Sequence, residues 1–125
     1  MPTRPAQSVN EGSLIHYLVE LYTPNAAWKA LDSEQRQQFL AAIGNAMGEL
    51  SGLGIEVLTL AEAAPGIDKA SPHQFVGIWR FARLEARNAL LAGIKASGWY
   101  TYFEHVNAAC ASGGFEPHLA ALVAA

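Results

Sequence analysis

The sequence predicts an α+β domain in which a four-stranded antiparallel sheet carries helices on one side. Two stretches with a period of two and two stretches with helical periodicity lead to that expectation. Ser13 to Tyr22 alternates between an apolar face (Ile15, Tyr17, Val19, Leu21) and a mixed one (Leu14, His16, Leu18, Glu20, Tyr22). Successive strand residues point to opposite sides, so the apolar face is expected in the core and the mixed face against something partly polar. His73 to Phe81 repeats the design, with Phe75, Gly77, Trp79 and Phe81 opposite Gln74, Val76, Ile78 and Arg80. A sheet built this way outlines a binding chamber, bounded by helices on one side and by a semi-polar cavity or a partner sheet on the other.

The elements follow in order. Thr23-Pro24-Asn25 breaks the first strand, and Asn25 is placed to cap a short turn carrying Trp28. Asp32 with Gln35 three residues on forms a capping box, and Phe39, Leu40, Ile43, Met47 and Leu50 then mark one helical face. Gly52 and Gly54 end that helix. Ile55 to Ala61 reads as the second strand, with Ile55, Val57 and Thr59 on one side and Glu56, Leu58 and Leu60 on the other. Ala63 to Pro72, which contains Pro65 and Gly66, reads as a loop, and the third strand follows. Ala82 to Ser97 is expected to be a helix with Ala86, Leu90, Leu91 and Ile94 as its stripe, stopped by Gly98. Trp99 to Cys110 fits a helical face or a strand, and a strand from about Phe103 supplies the fourth member of the sheet. Past Gly113-Gly114, Glu116 and Pro117 start a short terminal helix with Leu119, Leu122 and Val123 as its stripe. The order strand, helix, strand, strand, helix, strand is the ferredoxin-like βαββαβ arrangement, here with a C-terminal helix.

A chain of 125 residues makes one domain, read as 13–125 behind a tail of residues 1–12. With 51% hydrophobic residues it is no disordered chain, and with only 15% charged residues it is expected to cover part of its surface by self-association. A net charge of −3 and scattered Lys and Arg argue against nucleic acid as a partner. The single cysteine, Cys110, leaves no internal disulfide and suits a reducing, cytoplasmic setting; it reads as a buried small hydrophobe. No apolar run is long enough to cross a membrane, and the first residues lack the apolar segment of a signal peptide.

Two fragments, Tyr17-Leu-Val-Glu-Leu-Tyr-Thr-Pro-Asn-Ala-Ala-Trp28 and Gly98-Trp-Tyr-Thr-Tyr-Phe-Glu-His-Val-Asn107, together with the element order, resemble the dimeric α+β-barrel superfamily and, within it, a group of short bacterial proteins. The architectural likeness covers about residues 13–112. The resemblance implies a homodimer of paired sheets enclosing a cavity. The superfamily spans cofactor-free monooxygenases, polyketide cyclases, lactone isomerases, haem-binding enzymes and proteins without catalysis. Its branches share no catalytic residues, so the resemblance assigns none here.

Candidate chemistry comes from the mixed face. The first and third strands are expected to be antiparallel neighbours, which would set Arg80 near His16 and Glu20 near Gln74 or His73. A histidine beside an arginine and a carboxylate can move a proton while the arginine stabilises an oxyanion. Alternatively, Arg80 and Glu20 pair across a dimer interface. His105, beside Asn107, is readable as a general base, as an axial haem ligand or as a hydrogen-bonded structural residue. Trp28 and Trp99, in connecting segments, are expected to contact a ligand or a second subunit, whereas Tyr17 and Trp79 fill the core. The histidines lack metal-ligand spacing and no phosphate-binding glycine loop is present, so neither metal nor cofactor is expected.

The sequence therefore reads as a cytoplasmic homodimer. It would be a cofactor-independent acid–base enzyme of monooxygenase, cyclase or isomerase type acting on a small apolar or aromatic metabolite. His16, His105 and Arg80 would be its catalytic residues, and Glu20, Trp28, Trp99 and Asn107 its substrate contacts. The alternatives are a non-catalytic ligand-binding or structural dimer, and a haem-binding protein.

Overall fold

Local chemistry starts and stops the helices where the sequence places those signals. The Asp32 carboxylate accepts from the Gln35 backbone N–H at 2.8 Å, and the Gln35 side chain accepts from the Asp32 N–H at 2.9 Å. Asn25 Oδ1 accepts from the Trp28 N–H at 3.1 Å, capping the short turn as expected. Gly54 and Gly98, at φ +75° and +83°, take the left-handed conformation that turns the chain out of the two long helical segments.

The computed structural model describes residues 14–125, so the expected tail lies outside the described residues. In chain order the elements are β1 (His16–Pro24), α1 (Ala26–Lys29), α2 (Ser33–Glu49), β2 (Ile55–Glu62), β3 (Phe75–Phe81), α3 (Leu84–Ala96), α4 (Trp99–Tyr102), β4 (Phe103–Ala111) and α5 (Phe115–Ala124). The strands form one antiparallel sheet in the order β2-β3-β1-β4. The fold is ferredoxin-like α+β. The ambiguous segment resolves into both readings in turn, one helical turn at Trp99 and then a strand from Phe103.

The faces of β1 are the reverse of the expectation. Register sets His16 opposite Phe81, Leu18 opposite Trp79 and Glu20 opposite Gly77, so the mixed face of β1 shares the helix-covered side with the aromatic residues of β3. His16, Leu18 and Glu20 are buried, whereas Tyr17, Val19 and Leu21 point to the other side. Apolarity within one strand misled here, because β3 decides the side and its Trp79 and Phe81 are the larger groups to bury. Strand β2 departs as well. A bulge between Val57 and Thr59 carries Leu60 round to face Gly77 on the helix side, joining Ile55 and Val57.

Leu18, Trp79, Phe81, Ala86 and Leu90 form the core, with Met47, Leu50 and Ile94 packed against it. Helix α3 lies directly on the sheet and buries Ala86 and Leu90. Helix α2 buries none of its residues fully. It is held near its start by Phe39, which packs edge-on against Trp28 and Tyr102, and near its end by Met47 and Leu50. Leu40, expected on its inner face, is 46% exposed.

Among the described residues no helix packs on the far side of the sheet. Val19, Leu21, Val76, Ile78, Val106 and Ala108 share that side, by their pairing. Cys110 also lies there and is exposed, contrary to the expectation of burial, because it falls on the uncovered side of an edge strand. The terminal helix forms as expected, but its stripe stays largely exposed among the described residues: Leu122 and Val123 are 57% and 89% exposed.

Candidate functional site

Between the sheet and the two long helices lies a cavity of about 160 Å³. Ile43 and Met47 of α2, Leu90 and Ile94 of α3, and Leu60, Trp79 and Trp99 wall it, and the Glu20 carboxylate and Tyr22 complete it. A wider groove between α2 and α3, lined by Phe39, Ala42, Ala46 and Ala96, adjoins the cavity and shares Ile43 and Ser97 with it. On the other side of Trp99 and Tyr22 is an aromatic cleft with Trp28, Phe75 and Phe103.

Glu20 is the chemically conspicuous group. It is only 4% exposed, yet no arginine or lysine pairs with it among the described residues. Burying a carboxylate requires donors, and the sheet supplies them. Trp79 Nε1–H donates to Oε1 at 2.6 Å, and His105 Nε2 lies 3.3 Å from Oε2. His105 is opposite Tyr22 in the β1–β4 register and Asn107 is opposite Glu20, which brings all four to one side. His105 Nε2 is 2.7 Å from Asn107 Oδ1, and its Nδ1 accepts from Trp99 Nε1–H at 3.0 Å. Burial works against the charged imidazole, but the contacts to Glu20 and Asn107 and the charge of Glu20 outweigh it, holding His105 above the ordinary histidine range. Burial, then the nearby Glu20 charge, pushes the Tyr22 phenol up.

Gly77 is part of this geometry. A Cβ there would stand 3.0 Å from Glu20 Oε1, 3.3 Å from Trp79 Nε1 and 2.9 Å from Leu60 Cδ2. The carboxylate and the indole therefore fold over the space that a side chain would fill.

Four of the residues singled out from the sequence thus meet: Glu20, His105, Asn107 and Trp99. The others do not join them. Arg80 lies on the uncovered side of the sheet, exposed, and pairs with Glu56 at 3.0 Å. It cannot approach His16, which faces the helices, nor share an interface with Glu20, which lies on the opposite side. His16 does share a side with His105, but His16 lies six positions along β1 from Tyr22, the partner of His105, and at strand rise that is roughly 20 Å. Glu20 lies neither by Gln74 nor by His73, whose Nδ1 is 3.1 Å from Thr23 Oγ1. Trp28 is buried in the aromatic cluster next to the site, 4.9 Å from Phe103 between ring centres. Trp79 and Tyr22 were missing from the expected site. From the sequence Trp79 reads as a packing residue, and only the register reveals that its N–H meets Glu20.

A family model describing a family of unknown function (DUF6616) matches residues 15–125. The chain belongs to DUF6616. No curated protein sequence matches this DUF6616 chain. Among solved structures it is similar to a double mutant of chlorite dismutase from Candidatus Nitrospira defluvii, with a TM-score of 0.63 and 14% identity over 90% of this chain and 45% of that one. A single-site mutant of the same enzyme gives 0.62 and 19% over 84% and 43%. A dimeric ferredoxin-like protein of unknown function from Thermobifida fusca gives 0.49 and 13% over 83% and 96%. The DUF6616 chain spans less than half of the chlorite dismutase chains it matches. At such identities the chlorite dismutase likeness establishes the α+β fold alone, and no activity. Among the described residues no helix is long and apolar enough to cross a membrane.

The haem alternative fits these residues poorly. Neither His16 nor His105 lines the cavity, and both ring nitrogens of His105 are engaged by Trp99 and Asn107.

Proposed function

We propose that this protein binds an uncharged metabolite about the size of one aromatic ring, carrying an O–H or N–H group, and that Glu20 accepts a proton from it. The observation behind this reading is the Glu20 carboxylate, shielded from water and set in the wall of a largely apolar cavity. A cavity of about 150 Å³ lined by aliphatic and aromatic residues is large enough to hold benzene, and this one is of similar size. Largely apolar walls with a few converging polar groups, here Glu20, Tyr22 and Ser97, are the usual composition of a small-molecule site. Glu20 accepts from Trp79 and faces His105, and a carboxylate has about four acceptor positions, so room remains for a ligand donor. No cation lines the cavity, which disfavours anionic ligands. Such a site suits proton transfer of the isomerase or cyclase type, with Glu20 as base and with Trp79 and His105 orienting it. The homodimer is part of the same proposal. Its interface would be the uncovered apolar side of the sheet, so each subunit would keep its own cavity on the helix side.

The test is calorimetric titration of phenol and of toluene into the wild-type protein and into Ile94→Trp, which fills the cavity. The reading expects phenol to bind more tightly than toluene, and Ile94→Trp to abolish both. Equal affinities, or binding that survives the filled cavity, would overturn it. Light scattering tests the dimer, for which a monomer in solution is the contrary result.

A further inference from the structure

We propose that Trp99 is a positioning residue that locks neutral His105 in its Nε2–H tautomer, leaving Glu20 as the group that must hold a transferred proton. The inference deepens the reading of Glu20 as the base of the site, but it can be tested without a ligand, so the two fail separately.

The reasoning is an account of donors and acceptors. An indole N–H can only donate. Trp99 Nε1 is 3.0 Å from His105 Nδ1, so that nitrogen presents a lone pair and carries no proton. Across the ring, Nε2 faces Asn107 Oδ1 at 2.7 Å and Glu20 Oε2 at 3.3 Å. Both of those oxygens accept, so the ring proton belongs on Nε2. The two edges of the imidazole therefore demand the same tautomer.

A second proton on the ring would set Nδ1–H against the Trp99 N–H, two donors with no acceptor between them. Trp99 is poorly placed to turn away. Its ring stacks on Phe103 at 4.0 Å, and its backbone N–H donates to Ser97 Oγ at 3.2 Å. The other titratable groups against His105 are Glu20 and Tyr22 of β1, the latter stacked on it at 5.6 Å, and Tyr100 of α4, edge-on at 5.3 Å. Glu20 favours the imidazolium and the Trp99 N–H opposes it. Locked in this way, His105 serves as a fixed N–H donor behind the carboxylate, and a shuttle that passes a proton from Nε2 to Nδ1 is blocked.

Two-bond ¹H–¹⁵N spectra of uniformly ¹⁵N-labelled protein, recorded across pH, decide the matter. Above its titration, His105 should show a protonated Nε2 and a bare Nδ1. Trp99→Phe keeps a stacked ring and removes the N–H, so the His105 titration should move upward and the neutral ring should sample both tautomers. Asn107→Ala removes an acceptor that favours the cation and should move the titration downward. General loosening of the fold would move both variants the same way. A wild-type spectrum in which the neutral ring carries its proton on Nδ1 overturns the proposal, as does a titration that Trp99→Phe leaves unmoved. The wild-type spectrum fixes the tautomer even if the variant does not fold.

Discussion

Gly77→Ala tests the local geometry with the addition of a single carbon. The new Cβ would meet Leu60 Cδ2 at 2.9 Å, Glu20 Oε1 at 3.0 Å and Trp79 Nε1 at 3.3 Å. The first contact is cheap, because Leu60 is half exposed and its tip can swing into the cavity. The second is costly, because Glu20 Oε1 is held by the indole at 2.6 Å and must retreat by a few tenths of an ångström. Overpacking of this kind costs about 1–3 kcal/mol, and weakening a hydrogen bond to a charged group adds a share of the roughly 1.5–3 kcal/mol such bonds contribute. A net loss of about 2–3 kcal/mol is therefore expected, read from urea unfolding as a lowered midpoint at unchanged slope. The diagnostic measurement is the double-mutant cycle with Glu20→Ala. Truncating Glu20 removes the obstacle, so alanine at position 77 should cost at least about 1 kcal/mol less in that background. Effects that add to within about 0.5 kcal/mol would refute the claim that the carboxylate occupies this space.

Three further outcomes are expected. Trp79→Phe keeps most of the ring but strips Glu20 of its shortest bond, and should cost about 1.5–3 kcal/mol by chemical denaturation. Arg80→Ala, which breaks an ion pair with both side chains about half exposed, should leave the unfolding midpoint nearly unchanged in the same assay. The third concerns pH. His105 titrates above the unfolded value of 6.5, so the stability its cation contributes is complete below that pH and is lost as pH rises through the folded value. Unfolding midpoints measured across that window should fall with rising pH, and His105→Gln should remove that part of the slope.

The strand order and the helix ends were readable from short-range signals. The Asp32–Gln35 box, the Asn25 cap and the glycines past the helices act through residues only a few positions away, so the sequence alone contains both partners of each interaction. The site was only partly readable. Glu20, His105, Asn107 and Trp99 stood out as chemistry-bearing residues, but their meeting depends on the pairing of β1 with both neighbours. A strand turned over by one residue exchanges its sides completely, and the apolar Ile15–Leu21 set suggested the wrong one. That set is the more apolar although no helix among the described residues covers the side it faces, and single-strand alternation does not distinguish such a side from a core. Leu60 was misplaced for a different reason: the bulge at β2 belongs to the pairing with β3 and leaves no mark in the local pattern.

Helix α2 resembles a beam resting on two piers, Phe39 at one end and the Met47–Leu50 pair at the other, with a hollow beneath its middle. Because its first turn is secured by its own side chains, the helix can tilt on those supports without unwinding. A molecule filling that hollow would brace the helix along its unsupported stretch, so its amide protons should exchange early in the empty protein and slow down once the hollow is filled.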